Sequence, residues 1–285
     1  MSDDQIKYAS VTSLTGLLPK NLVWWAGNAV ADCAFNKQDE WKHLPTKEER
    51  IDYVKRAHQR IKDTATALGS EIHNYVEAVN LGKPVPTFPL HAKARMRHFA
   101  DFIETVKPRI EAAETKVYHG ADHKYRPPTP RCLYAGTLDM LAEIDGRMSV
   151  VDVKTGKAVW PEAALQINAY AYADFVIEDP HHPGARQITP KRGKRWYEWH
   201  GPAEDEIPMP EVQAGYVLHL RDDGWDLVEV PISDDLYEMF LSLFAVDRWE
   251  REVKKGVMIP TNYGRHDDPG PAMQEAIAEF GGVTV

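Results

Sequence analysis

The sequence predicts an α/β fold in which a mixed central β-sheet of about five strands is flanked by helices and preceded by a helical N-terminal region. Two observations predict it. Helical and strand-like segments follow in the order helices, three strands, helix, two strands and helix, which is typical of a sheet covered by helices. Two turns, Asp145-Gly146 and Asp222-Asp223-Gly224, also separate pairs of apolar runs, as hairpin turns do.

Length and composition favour a single domain. The chain has 285 residues, of which 43% are hydrophobic and 27% charged, which is ordinary for a globular protein with a sizeable core. We expect residues 1–110 to be mainly helical, residues 114–255 to form the core of the fold and residues 256–285 to be a loosely ordered tail.

The N-terminal region has helical signals throughout. Residues 10–35 predict short packed helices. The clearest helical pattern covers residues 46–80: Thr46 can cap its first turn, which is acidic, and apolar residues recur at helical spacing. Leu81–Pro84 ends that helix, because glycine and proline follow the last periodic residue. A second helix is predicted from Leu90 to Ile110.

Three strands and a helix follow. The strands are predicted at Lys116–His119, Tyr134–Ile144 and Ser149–Lys154, with the turn at Asp145-Gly146 joining the last two. Pro161 can open a helix, since proline suits the first helical position, and we expect that helix to reach Ile177.

The remainder begins with residues 178–210, which are rich in proline, glycine, histidine and charge and are predicted to be a long irregular insertion. Gly215–Leu220 and Trp225–Val230 predict the second hairpin. A helix from Asp234 to Lys255 then closes the core.

Charge and cysteine content exclude several classes of protein. The formal net charge of -9 argues against a generic DNA-coating protein, although a local basic groove is compatible with it. The two cysteines, Cys33 and Cys132, cannot supply a disulfide framework, a four-cysteine zinc site or an iron–sulfur cluster. No apolar run approaches the roughly 20 residues of a membrane span, and the start is acidic, so we expect a cytoplasmic protein.

Acidic residues interrupt two of the predicted strands. Asp139 lies in one, and Asp152 lies inside a run of valines in the next. Residues two apart on a strand share a face, so Asp152 and Lys154 should project together with Val153 in the core. A buried carboxylate needs a partner, a metal or a shifted pKa. Lys154 alone could be that partner, but the nearby Asp139 favours a site for a divalent cation.

At this point the sequence resembles the PD-(D/E)xK nuclease superfamily, in its RecB-like exonuclease branch. An acid on one strand precedes D-x-K-T-G on the next, here Asp152 to Gly156. A G-x-x-x-H pattern lies in an upstream helix at Gly69–His73, and a Q-x-x-x-Y pattern follows at Gln166–Tyr170. The similarity covers residues 65–175 and, less specifically, the predicted strand pair at 215–230. It extends to small phage-encoded exonucleases and to the nucleases of CRISPR adaptation, and it implies a restriction-endonuclease-like core.

The resemblance implies a role for each motif residue. His73, Asp139 and Asp152, with the Val153 carbonyl, would bind Mg2+ or Mn2+. Lys154 would position the attacking water or offset developing charge, so Lys154, Asp139 and Asp152 are the expected catalytic residues. The following helix offers two supporting residues: Gln166 would orient Lys154 or a phosphate, and Tyr170 would hold the strand or a base, although packing on the sheet explains Tyr170 equally well.

The sequence departs from this branch in two respects. Leu138 stands where a proline is usual before the first acid, and the four cysteines of an iron–sulfur cluster are lacking, so no cluster is expected. There is no G-x-x-x-x-G-K-[ST] motif either, so unwinding would need a helicase or recombinase partner. We expect a DNA exonuclease of phage recombination, repair or replication that acts on linear, single-stranded or end-containing DNA. The alternative is a DNA-binding or assembly protein on a nuclease scaffold with weak or lost catalysis.

Two further features carry weaker signals. The insertion brings cations and an aromatic ring together, a combination suited to single-stranded DNA but also found in solvated loops; its residues are Lys191, Arg192, Lys194, Arg195 and Trp196. Glu114 lies just before the first predicted strand, where it could support the metal site or face the substrate, but a surface position is favoured.

Overall fold

A computed structural model describes residues 6–19, 22–85, 87, 89–120, 134–177, 185–188, 196–199 and 206–253. Its strands are β1 Ile6–Ser10, β2 Arg109–His119, β3 Tyr134–Ile144, β4 Arg147–Lys154, β5 Phe175–Ile177, β6 Ala185–Ile188, β7 Trp196–Trp199, β8 Glu206–Pro208, β9 Ala214–Leu220 and β10 Trp225–Val230. Its α-helices are α1 Val11–Thr15, α2 Val23–Asn36, α3 Lys47–Lys55, α4 Ala57–Asn80, α5 Lys93–Val106, α6 Glu162–Ala171 and α7 Asp234–Arg248.

All of these strands belong to one mixed sheet, which confirms the predicted α/β class. The order is β10-β9-β4-β3-β1-β7-β6, and β2 lies on the other side of β3, followed by β5 and β8. The predicted number of about five strands is wrong, because the described residues contain ten. Five of those ten have only three to five residues, too few for an alternating pattern to reveal them.

Several predicted boundaries are also wrong. The insertion at 178–210 contains strands β6, β7 and β8, so it is not wholly irregular. The helix expected to reach Ile177 ends at Ala171, and β5 follows it. The helix expected to reach Ile110 ends at Val106, because Lys107 is left-handed and proline follows it. Strand β2 therefore begins at Arg109, seven residues before the predicted start at Lys116.

The helical predictions hold better before the sheet. Thr46 and Glu49 form a capping box: the Glu49 N–H donates to Thr46 Oγ1 at 3.1 Å, and the Thr46 N–H donates to Glu49 Oε2 at 3.2 Å. The pattern over 46–80 nevertheless forms two helices, α3 and α4, which are separated at Arg56. None of the helices in the described ranges combines the length and apolar content that a bilayer crossing requires.

The sheet has a hydrophobic cluster on each face. One cluster packs α1, α6 and α7 against the sheet through residues such as Leu14, Ile167 and Phe240. The other packs α4 and α5 through Ile72 and Phe99. Trp249–Val253, a π-helical turn, is the described part of the chain beyond α7, and the tail predicted at 256–285 lies outside the described residues.

Candidate metal centre

Strands β3 and β4 separate at the site that the motifs predict. Their antiparallel pairing joins Met140–Ile144 to Arg147–Val151. Beyond Val151, the register of β4 continues with its parallel neighbour β9. The Val153 N–H donates instead to Asp139 Oδ2 at 2.6 Å. A carboxylate thus takes the hydrogen bond of a backbone group where the two strands part.

The regular alternation of β3 is broken at Asp139. Leu138 and Met140 lie two residues apart and should share a face, yet they pack into the clusters on opposite sides of the sheet. Across the β2–β3 pair, Ala113 pairs with Met140 and Thr115 pairs with Leu138, which puts Glu114 opposite Asp139.

Glu114 itself is in a strained conformation. Its φ is +48°, which non-glycine residues rarely adopt within a strand, and such strain is most often kept at functional sites. It opposes a second carboxylate, which is destabilising unless a cation lies between them. The expectation that Glu114 lies at the surface is therefore wrong, since its side chain is 21% exposed and joins the acidic cluster.

Helix α4 brings His73 to the two carboxylates. Its apolar face buries Ile72 and Val76 completely, which orients the neighbouring His73 to the edge of the cluster. His73 Nδ1 lies 3.3 Å from Asp139 Oδ1 and 3.8 Å from Glu114 Oε1. One ligand atom from each of these three residues lies within 4.8 Å of the other two, a spacing at which a single cation can bind all three.

Gly69 has no side chain where α4 packs close to the end of β4. A Cβ there would lie 3.4 Å from Thr155 Oγ1, so the helix lies close to the residue that follows Lys154. The G-x-x-x-H pattern thus reflects helix packing as well as the histidine itself.

Asp152 and Lys154 form a second group beside the first. Lys154 Nζ lies 2.8 Å from Asp152 Oδ1 and 2.6 Å from Oδ2, and Gln166 Nε2 donates to Oδ1 at 2.9 Å. Val153 is buried in the cluster beneath α4 and α5, so Asp152 and Lys154 do project together as alternation predicts. Asp152 is not part of the three-residue group that His73 joins.

Tyr170 lies behind this second group. Its ring is 1% exposed and so close to Gly136 that a Cβ there would lie 2.5 Å from Tyr170 Cε1. Its hydroxyl accepts a hydrogen bond from Gln166 Nε2 at 3.2 Å. A side chain buried to this extent positions Gln166 and packs on β3; it offers no ring face to a base.

The aspartates of the two groups have pKa values shifted in opposite directions, that of Asp139 down and that of Asp152 up. The negative charge of Asp139 raises the pKa of His73 to about 10, against the effect of burial. Burial by itself would raise the pKa of Asp139, but His73, Lys154 and the Val153 N–H together hold it below its usual range. Burial raises the pKa of Asp152. Burial would lower the pKa of Lys154, but the charges of Asp152 and Asp139 raise it, so the Lys154 ammonium stays charged.

The structure brings together six of the residues that sequence reasoning selected: His73 and Asp139 in one group, and Asp152, Lys154, Gln166 and Tyr170 in the other, with the Val153 N–H between them. The basic residues of the insertion, Lys191, Arg192, Lys194 and Arg195, lie outside the described residues. Trp196 begins β7, with only its backbone described. Glu114 joined the site only through the register of β2, and no motif in the sequence marked it.

No protein-family model and no curated protein matches this chain. Among solved structures, the crystal structure of SSO0001 is similar over 87% of this chain and 76% of that one, with a TM-score of 0.37 and 11% sequence identity. A likeness at this level decides neither fold family nor function.

Proposed function

We propose that this chain is a deoxyribonuclease dependent on Mg2+ or Mn2+, with a restriction-endonuclease-like core. The observation that carries the proposal is the convergence of His73, Glu114 and Asp139 beside the Asp152–Lys154 pair, where β3 and β4 separate. The sequence motifs of the RecB-like branch fall on the same residues and on the helix that carries His73.

The donor set suits a divalent cation. Glu114 Oε1 is buried and has no hydrogen-bond partner among the described residues, which a cation would correct. With His73 neutral, the carboxylates of Glu114, Asp139 and Asp152 outnumber the one ammonium by two charges, which one divalent ion balances. Carboxylates suit Mg2+ and Mn2+, and the imidazole favours Mn2+.

His73, Glu114 and Asp139 would hold the ion in this proposal, and Asp152 is the fourth candidate ligand. A bound ion would supply Lewis-acid activation of a phosphate and of a water molecule. This ligand set differs from the one that the resemblance implies, because Glu114 and not Asp152 lies close to both His73 and Asp139.

The side chains around the ion have separate tasks. Lys154 carries a positive charge fixed by Asp152 and lies where it can offset negative charge on a phosphate oxygen. The Gln166 amide on α6 donates hydrogen bonds to the Asp152 carboxylate and to the Tyr170 hydroxyl. These contacts limit the freedom of Asp152 and Lys154 before substrate arrives.

The further details of the proposal come from the resemblance. We infer cleavage from DNA ends, within phage recombination, repair or replication in a bacterial cytoplasm, with unwinding left to a helicase or recombinase partner.

Incubation with end-labelled linear and circular DNA, single- and double-stranded, tests the proposal directly. We expect cleavage of linear DNA with Mn2+ and none with chelator. Lys154→Ala and Glu114→Gln should each lower the rate by about a hundredfold or more, because each removes charge needed in the transition state. Glu111→Gln is the matched control, since this acid lies on the same strand and pairs with Arg109.

Near-wild-type cleavage by folded Lys154→Ala protein would reject the site. DNA binding by the wild-type protein without cleavage under any metal would favour the DNA-binding or assembly protein instead.

A further inference from the structure

A groove of about 760 Å3 adjoins the candidate metal centre. It is lined by residues of α2 and α4, by Thr155–Lys157 and by the turn at Arg221–Asp223. Its volume falls in the range of pockets that hold drug-sized ligands, about 300–1,000 Å3, so a DNA duplex does not fit inside it.

Two elements that line the groove also carry residues of the metal centre. On α4 the groove follows one face of the helix through Ala57, Arg60, Thr64 and Leu68, spaced three or four residues apart. At about 1.5 Å per residue, Arg60 lies about 20 Å along the helix from His73. On the other element, Thr155 lines the groove and directly follows Lys154.

The charges of the groove differ from those of the whole chain. Its lining includes five basic and three acidic residues, although the chain has a net charge of -9. Three of the basic residues are neutralised: Lys37, Arg95 and Arg221 each pair with an aspartate.

Arg60 and Lys157 differ, because neither has a carboxylate within 4.0 Å in the described part of the chain. The Arg60 guanidinium stacks 3.6 Å over the ring of Tyr53 and donates to the Tyr53 carbonyl at 2.6 Å, which fixes its position without neutralising its charge. Lys157 is exposed. Two uncompensated cations therefore remain available to an anion in the groove.

A hydrogen bond from His219 holds the segment between Lys154 and Lys157. His219 pairs with Lys154 in the β4–β9 register and is 6% exposed. Its Nε2–H donates to the Gly156 carbonyl at 2.7 Å, and its Nδ1 faces Arg221 Nη1 at 3.4 Å. The tautomer is fixed because a carbonyl can only accept, so this wall of the groove is organised in advance.

We propose that the groove binds one strand of DNA and leads its backbone to the metal centre, with phosphates held by Arg60 and Lys157. The proposal rests on the proposed nuclease function and names the form of its substrate. Two cations that line an apolar-walled groove, Arg60 held in place and Lys157 exposed, can bind phosphates of one backbone, and the volume favours a single strand over a duplex.

Fluorescence anisotropy with a labelled oligothymidylate and with a blunt hairpin duplex, both in the presence of chelator, tests this inference. Binding is then measured without cleavage or metal. Arg60→Gln and Lys157→Gln should each weaken single-strand affinity by about three- to tenfold and reduce the slope of log K against log salt by about 0.7. Lys62→Gln is the control: this exposed cation lies on the same helix, outside the groove lining, and should change neither quantity.

Arg60 also contacts Tyr53 and Cys33, so its variant is judged only if its melting temperature is retained. Lys157 is exposed, so Lys157→Gln should fold normally and tests the proposal even if Arg60→Gln is destabilised. Unchanged affinity and slope in Lys157→Gln would overturn the proposal, as would equal losses for strand and duplex. If the wild-type protein cleaves DNA and the variants bind normally, the groove proposal fails and the nuclease proposal stands. If the variants lose binding but the wild-type protein does not cleave, the groove binds DNA and the nuclease proposal fails.

Discussion

Metal binding at the candidate centre should displace a proton from His73. Asp139 raises the pKa of His73 to about 10, so the imidazole carries a proton at neutral pH when no cation is bound. A metal ion needs the neutral ring. At pH 7.5, removal of that proton costs about 3 kcal/mol, at 1.36 kcal/mol per unit of pKa. The affinity for Mn2+ should therefore rise about tenfold per pH unit between pH 6.5 and 9.

Titration calorimetry in two buffers of different ionisation enthalpy measures both the affinity and the protons released. We expect about one proton per Mn2+ ion for the wild-type protein. His73→Gln should bind Mn2+ with little dependence on pH over the same range, because the displaced proton is gone. A wild-type affinity that does not change with pH, or a slope that survives in His73→Gln, would refute the reasoning.

The same linkage acts on stability without metal. The folded-state pKa of His73 lies above the unfolded value of 6.5, so its stabilising contribution is complete below about pH 6.5 and is lost as the pH rises towards 10. The melting temperature of metal-free protein should fall over that window, and His73→Gln should remove this component of the fall.

Two further predictions test other parts of the molecule. Gly136→Ala should lower the free energy of unfolding by about 1–3 kcal/mol and slow cleavage, because the new methyl group overlaps the buried ring of Tyr170. Gly27→Ala is its control in a denaturant titration, since it meets nothing within 4 Å in a helix and should stabilise by up to about 1 kcal/mol; equal effects would contradict the packing argument. Charge reversal at Lys191 and Arg192 should weaken DNA binding and flatten its salt dependence, and an unchanged slope would exclude that segment from the interface.

Patterns confined to a few neighbouring residues predicted structure well. Strand β3 has the predicted bounds, and the capping box at Thr46 forms as its spacing suggests. The joint projection of Asp152 and Lys154 followed from alternation alone. By contrast, the short strands β5 to β8 form by pairing with other strands of the sheet: β5 pairs with β2 and β8, and β7 pairs with β1 and β6. Three or four residues contain no periodicity that would reveal this.

The sequence by itself determined the mixed α/β class, the amphipathic face of α4 and the pairing of Asp152 with Lys154, because each depends on local periodicity. Only the tertiary structure decided the place of Glu114. Its inclusion depends on the register between β2 and β3, the break of the pleat at Asp139 and the approach of α4 to both. These contacts join residues that are 25 to 66 positions apart in the chain: 114 with 139, 73 with 114, and 73 with 139. Their free energy depends on packing between elements, which no short stretch of sequence specifies.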